Sequence, residues 1–150
     1  MFAQVACWRM AVAYPTGSVL IFRTDYSDSD AEWRQLIDVV TELTRGESDF
    51  TFVDDRAFEG ADRGFLARLA KDSGGDYNDF AYVADCRTLS SPEYPILVVD
   101  LLAGEDSAEL AELRVIPRML SSVVDNLLIA NLDPEDFIDA SDDDGVLRGI

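Results

Sequence analysis

No histidine occurs in the 150 residues. Its absence removes Ser-His-Asp and Cys-His catalysis, imidazole metal ligation and the usual switch near neutral pH. Lysine is almost as scarce: Lys71 is the only one, and the other basic residues are arginines. Serine catalysis without histidine would call on a lysine base, and no Ser-x-x-Lys spacing supplies one. Cysteine is limited to Cys7 and Cys86, which form neither a CxxC pair nor a zinc pattern. Two isolated thiols in an acidic chain fit the reduced state of a cytoplasm. A phosphate-binding GxxxxGKS/T loop is missing, and the Gly74-Gly75 pair lacks GxGxxG spacing. No apolar run is long enough to span a bilayer. The apolar start, MFAQVACWRMAVAY, carries no basic leader and is interrupted by Arg9. Residues 1–17 are therefore expected to be an apolar arm or extra strand ahead of one domain over 18–150.

Acid is what the chain has in excess. Thirty Asp and Glu against 12 Lys and Arg give a formal charge of -18. Direct binding to nucleic acid needs a basic footprint, so that class is excluded. An anionic membrane surface would repel the chain. A basic protein, or cations, would be attracted. The preference for Arg, with plentiful Ala, Val and Asp, resembles high-GC bacterial coding. At 48% apolar the chain is long and greasy enough to bury a core.

Four apolar runs end on aspartate: SVLIFRTD (18–25), FTFVDD (50–55), FAYVAD (80–85) and ILVVD (96–100). Each reads as a strand bounded by turn residues. After the first, Ser29-x-x-Glu32 forms a capping-box pattern. Trp33, Leu36, Ile37, Val40 and Leu43 then recur at helical spacing, and Gly46 suits the end of that helix. A second helix is expected over Asp62–Lys71, broken by Gly74-Gly75. The link Cys86–Pro95 holds two prolines and no helical period, which predicts a loop. The strand from Ile96 therefore need not be parallel to the one before it. A turn follows at 104–106. Leu113 and Val115 alternate with Glu112 and Arg114, which predicts a half-exposed edge strand. Pro117 opens a helix with Leu120, Val123, Val124 and Leu127 on its apolar stripe, and Asn131 is expected to cap it. Asp133-Pro134 starts a short last helix. The order βαβαβββαα predicts a single layered α/β domain with a mixed, mostly parallel sheet and helices packed on it.

In an open parallel sheet, ligands bind beyond the carboxyl ends of the strands. Asp25, Asp54, Asp55 and Asp85 would gather there. Converging carboxylates suit Mg²⁺ or Mn²⁺ and would support a metal-dependent hydrolase or phosphotransferase. Asp100 would join them only if its strand were parallel. Aspartate after a strand equally makes Asx turns and N-caps, and Arg23 and Arg56 stand ready to neutralise the group. Asp142-Asp143-Asp144-Gly145 fails the EF-hand spacing and reads as a solvated acidic turn. The favoured reading is a non-catalytic, acidic cytoplasmic module that binds a basic protein, as immunity proteins or nucleic-acid mimics do.

The stretches VLIFRTDYSDSDAEW, TFVDDRAFEG, YVADCRTLSSPEYPILVVDL, RVIP and IANLDPEDFIDASDDDGVLRGI resemble a small actinobacterial family of domains of unknown function. The likeness runs from about residue 18 to 150. It implies a compact bacterial domain and brings with it no activity, cofactor or site residue.

Overall fold

The computed structural model describes residues 12–17, 19–45, 50–73, 79–102 and 112–149. The expectations for the arm at residues 1–11, for Gly46, for Gly74-Gly75 and for the turn at 104–106 lie outside the described residues. The elements, in chain order, begin with β1 (Val19–Arg23), α1 (Asp30–Thr44), β2 (Phe50–Val53) and a 3-10 turn (Arg56–Phe58). Next come α2 (Arg63–Ser73), β3 (Phe80–Ala84), α3 (Cys86–Ser90) and β4 (Ile96–Asp100). The chain continues through β5 (Leu113–Val115), α4 (Pro117–Leu128), α5 (Pro134–Ala140) and β6 (Val146–Leu147).

The strands form one mixed sheet in the order β2-β1-β3-β4-β5-β6. β1 is parallel to β2 and β3, β4 is antiparallel to β3 and β5, and β5 is parallel to β6. The sheet is thus mixed and mostly parallel, as the sequence predicts. β1 is apolar in four consecutive positions because it is covered on both faces. Leu20 and Phe22 meet Phe58 of the 3-10 turn and Leu66 and Ala70 of α2. Val19 and Ile21 meet Trp33, Leu36 and Val40 of α1. The crossover from β1 to β2 and the one from β2 to β3 run in opposite directions along the sheet. A common right-handed sense therefore puts their helices on opposite faces. Tyr14, from the segment ahead of β1, stacks at 5.7 Å from Phe22 on the α2 side. A third cluster joins Leu113, Val115 and Leu147 to Val123 and Leu127 of α4 and Phe137 of α5.

The structure departs from the sequence reading at four places. The link after β3 is not all loop. It holds the five-residue α3, too short to show a period, with Asp85 as N-cap accepting the Thr88 N–H at 3.1 Å. β5 is not an edge. It pairs with β4 on one side and with the two-residue β6 on the other, and Leu113, Arg114 and Val115 are all buried. Ser29 does occupy the N-cap of α1, but its hydroxyl makes no capping bond. It donates to the Asp25 carbonyl at 2.8 Å and accepts from Arg23 at 3.1 Å. Finally, Ala130 rather than Asn131 takes the left-handed conformation after α4, at φ 54°. The Asn131 N–H reaches back to the Asn126 carbonyl at 3.0 Å.

Candidate functional site

Strand order reverses on either side of β1, so the crevice beyond the ends of β1 and β3 is where an open sheet would take a ligand. Here the chain itself closes that crevice. The Thr24 N–H donates to the Ala84 carbonyl at 3.1 Å, and the Gly60 N–H donates to the Thr24 carbonyl at 2.9 Å. Gly60 sits at φ +70°, a conformation that an L side chain would strain.

The four strand-end aspartates each have local work. Asp25 accepts the backbone N–H and hydroxyl of Ser27 at 3.1 and 2.6 Å, an Asx turn. Asp55 caps the 3-10 turn by accepting the Ala57 N–H at 2.9 Å. Asp54 accepts the Tyr26 hydroxyl at 2.9 Å and Arg23 Nη1 at 3.4 Å. Asp85 binds Thr88 and Arg114. Asp100 lies at the other end of the sheet, because antiparallel β4 sets it opposite Phe80. It accepts the Leu102 N–H at 3.0 Å. Among the described residues, no group of three or more His, Cys, Asp or Glu is placed to hold a metal ion.

Arginines organise these carboxylates. Arg23 ends β1 with a buried side chain. Its Nη2 donates to Asp30 at 2.5 Å and its Nε to the Asp25 carbonyl at 3.1 Å. The guanidinium stands 4.2 Å from the centre of the Tyr26 ring, and Arg56 lies 5.0 Å from the same ring. The hydrogen bond from Arg23 holds the Asp30 carboxyl below the usual range. Burial, helped by the bond to Asp54, pushes the Tyr26 hydroxyl well above its ordinary value. Arg56 flanks the group as expected, but its carboxylate partner is Glu59 at 3.8 Å.

The partner of Asp85 is one that sequence reasoning missed. Arg114 of β5 forks onto it, Nη1 to Oδ1 at 2.9 Å and Nη2 to Oδ2 at 2.7 Å. Nη1 also donates to the Pro95 carbonyl at 3.2 Å. Nε has no hydrogen-bond acceptor, and Glu112 lies 3.5 Å from it as an ion pair only. Burial works to raise the Asp85 carboxyl, but the bonds from Arg114 and Thr88 outweigh it and hold the group below the usual range. A third clamp closes the β6 edge. Arg148 binds Glu93 at 2.8 Å, Asp142 at 2.8 Å and Asp144 at 2.7 Å, so the acidic turn is not merely solvated.

A groove of about 610 Å³ opens beside the Asp85 clamp. Its apolar lining includes Val83, Leu97 and Val99, and it reaches from Thr24 and Asp85 at one end of the strands to Phe80 and Asp100 at the other. Asp62, Asp85, Asp100, Glu112, Asp133 and Glu135 line it, against Arg63 as the one cation among the described lining residues.

Fold and site together define an α/β sheet domain whose strand-end carboxylates serve as arginine ligands and turn caps. The chain belongs to the family described as Domain of unknown function (DUF6924), whose model matches residues 18–150. No curated protein matches the chain. No helix among the described residues is long and apolar enough to cross a membrane.

Proposed function

We propose that this protein is a non-catalytic, acidic binding module of the cytoplasm, whose surface engages a basic protein. The observation that carries the reading is where the charges go. The aspartates at the conventional ligand position of the sheet are spent on the scaffold, on Arg23, Arg114, Ser27 and Ala57. Arg148 and the two buried arginines are each enclosed by carboxylates. Among the described residues, Asp38, Glu42, Asp72, Asp125, Glu135 and Asp139 are exposed carboxylates, within a net charge of -18. Such a surface steers a cationic partner and makes association fast and salt-sensitive. Immunity proteins and nucleic-acid mimics work in this way, and neither needs a histidine, a metal or a phosphate loop.

The test is affinity purification of the tagged full chain from its native host at about 50 mM and about 500 mM salt, on either side of the range where screening removes surface attraction. The expected result is a protein of net positive charge held at low salt and released at high salt. Partners no more basic than those on an untagged control, or retention unchanged by salt, would overturn the reading.

A further inference from the structure

We propose that the outer edge of β2 is the seat of the partner, which adds to the sheet an extended, uncharged strand ended by cationic residues. The inference deepens the acidic-module reading and rests on it.

The two ends of the sheet differ. At one end, β6 is two residues long. Its Val146 carbonyl already accepts the Asp142 N–H at 3.0 Å, and Arg148 beside it is held by Glu93, Asp142 and Asp144. At the other end, β2 pairs with β1 over all four of its residues. None of its backbone groups enters any other hydrogen bond among the described residues. In a parallel pair every second residue turns its N–H and C=O away from the neighbouring strand. Those groups of β2 form a template that one more strand can complete. Edges that are kept from pairing carry a charge, a proline or a bulge. Phe50-Thr51-Phe52-Val53 has neither charge nor proline, and its register with β1 is unbroken.

Side chains and charge select the occupant. Phe50 and Phe52 pack on the α1 side, against the cluster that holds Trp33 and Val40, and both remain half-buried. A β-branched side chain on the added strand covers the surface they still expose. Asp54 and Asp55 follow the strand and are exposed. Their bonds to Tyr26, Arg23 and Ala57 all use Oδ1, which leaves Oδ2 of each without a partner among the described residues. A cation at the end of the added strand meets them there. A second copy of this chain brings the same two aspartates and a net charge of -18 against -18, so like charge opposes it. The same field draws a basic partner to the edge.

The probe is the peptide Arg-Arg-Val-Thr-Val-Thr-Arg-Arg, whose arginines serve either direction of pairing. One control replaces its two central residues by proline, which keeps the charge and removes two N–H donors. The other replaces its arginines by glutamate. Each is titrated into the full chain at about 50 mM salt and followed by amide resonances and hydrogen exchange. The expected result is that the first peptide binds and shifts the resonances of Phe50–Val53. The outward-facing amides among them should exchange about tenfold more slowly or better, while Val146 and Leu147 stay unchanged. The proline peptide should bind roughly tenfold more weakly, and the glutamate peptide should not bind.

Unmoved amides at Phe50–Val53, or a proline peptide that binds as tightly as the first, would overturn the β2 edge while leaving a diffuse acidic surface standing. A dimer of the free chain in sedimentation, with its β2 amides protected, would assign the edge to a second copy and overturn the proposal too. Failure of both arginine peptides to bind at low salt would overturn the acidic-module reading as well.

Discussion

Arg23 and Arg114 stand in opposite halves of the sheet, and each is an arginine buried near a strand end. Their side chains are 4% and 5% exposed. Their carboxylates differ. Asp30 and Asp54, around Arg23, are 73% and 51% exposed. Asp85, under Arg114, is 27% exposed and is held by both guanidinium nitrogens at once. Arg23 secures a loop to its own strand and to the adjacent β2. Arg114 reaches across β4 to β3 and so ties together two strands that are not neighbours. Burial of the cation alone therefore says little about what an ion pair contributes. What matters is whether water can replace the arginine on the partner when the arginine is gone.

The largest effect should come from Arg114→Met, which leaves Asp85 half-buried without its counter-charge. A loss of about 3 kcal/mol in urea unfolding is expected. The deficit should also depend on pH. The folded-state pKa of Asp85 is depressed. Its stabilisation is therefore present above the unfolded value near 4 and is lost as pH falls through the lower folded value. The gap between the unaltered protein and Arg114→Met should narrow steadily in acid. A gap that stays constant down to about pH 2.5 would show that the ion pair is not its source.

Gly145→Ala should cost about 1–2 kcal/mol, because Gly145 sits at φ +80° in the turn that presents β6 to Arg114. Its carbonyl accepts the Arg114 backbone N–H at 3.1 Å, so thermal melting of this variant reports on the same half of the sheet. Arg23→Met should cost only about 1 kcal/mol, since its carboxylates can be hydrated. If urea unfolding gives a loss as large as that of Arg114→Met, the contrast between the two clamps fails. The smallest effect is expected from metal. Millimolar Mg²⁺ or Mn²⁺ should leave the melting temperature unchanged, as Asp25, Asp54, Asp55 and Asp85 already have partners. A rise abolished by Asp54→Asn would instead restore the metal-dependent reading.

The parallel half of the sheet was legible in the sequence. Val19–Phe22 is an unbroken apolar run, and Trp33, Leu36 and Val40 hold a helical period. Both patterns follow from burial against neighbours close in the chain. The direction of β4 was left open in the sequence, since the proline-bearing link before it need not be a crossover. The other half was not legible. α3 is five residues long, and its only signal was Asp85 standing three residues before Thr88. β6 is two residues long and carries no period. Without β6, β5 looks like an edge and Arg114 looks solvent-facing.

The same contrast holds for the site. The roles of Asp25 and Asp55 were readable because turn and cap chemistry acts within two residues. The partner of Asp85 lies 29 residues further on and is brought there by strand pairing alone, which no local pattern announces.

β6 has a consequence for the nascent chain. The parallel strands and their two crossover helices are complete once β3 has been made. The outer edge of β5, by contrast, has its N–H groups at Arg114 and Ile116 answered only by the carbonyls of Gly145 and Leu147. Until those residues leave the ribosome, the growing protein carries an open strand edge beside a half-covered cluster, the condition under which chains stick to one another. Two residues of strand, held down by Arg148, thus act as a stopper fitted late in synthesis. A lesion there should show first as aggregated material during expression and only afterwards as a lower melting point.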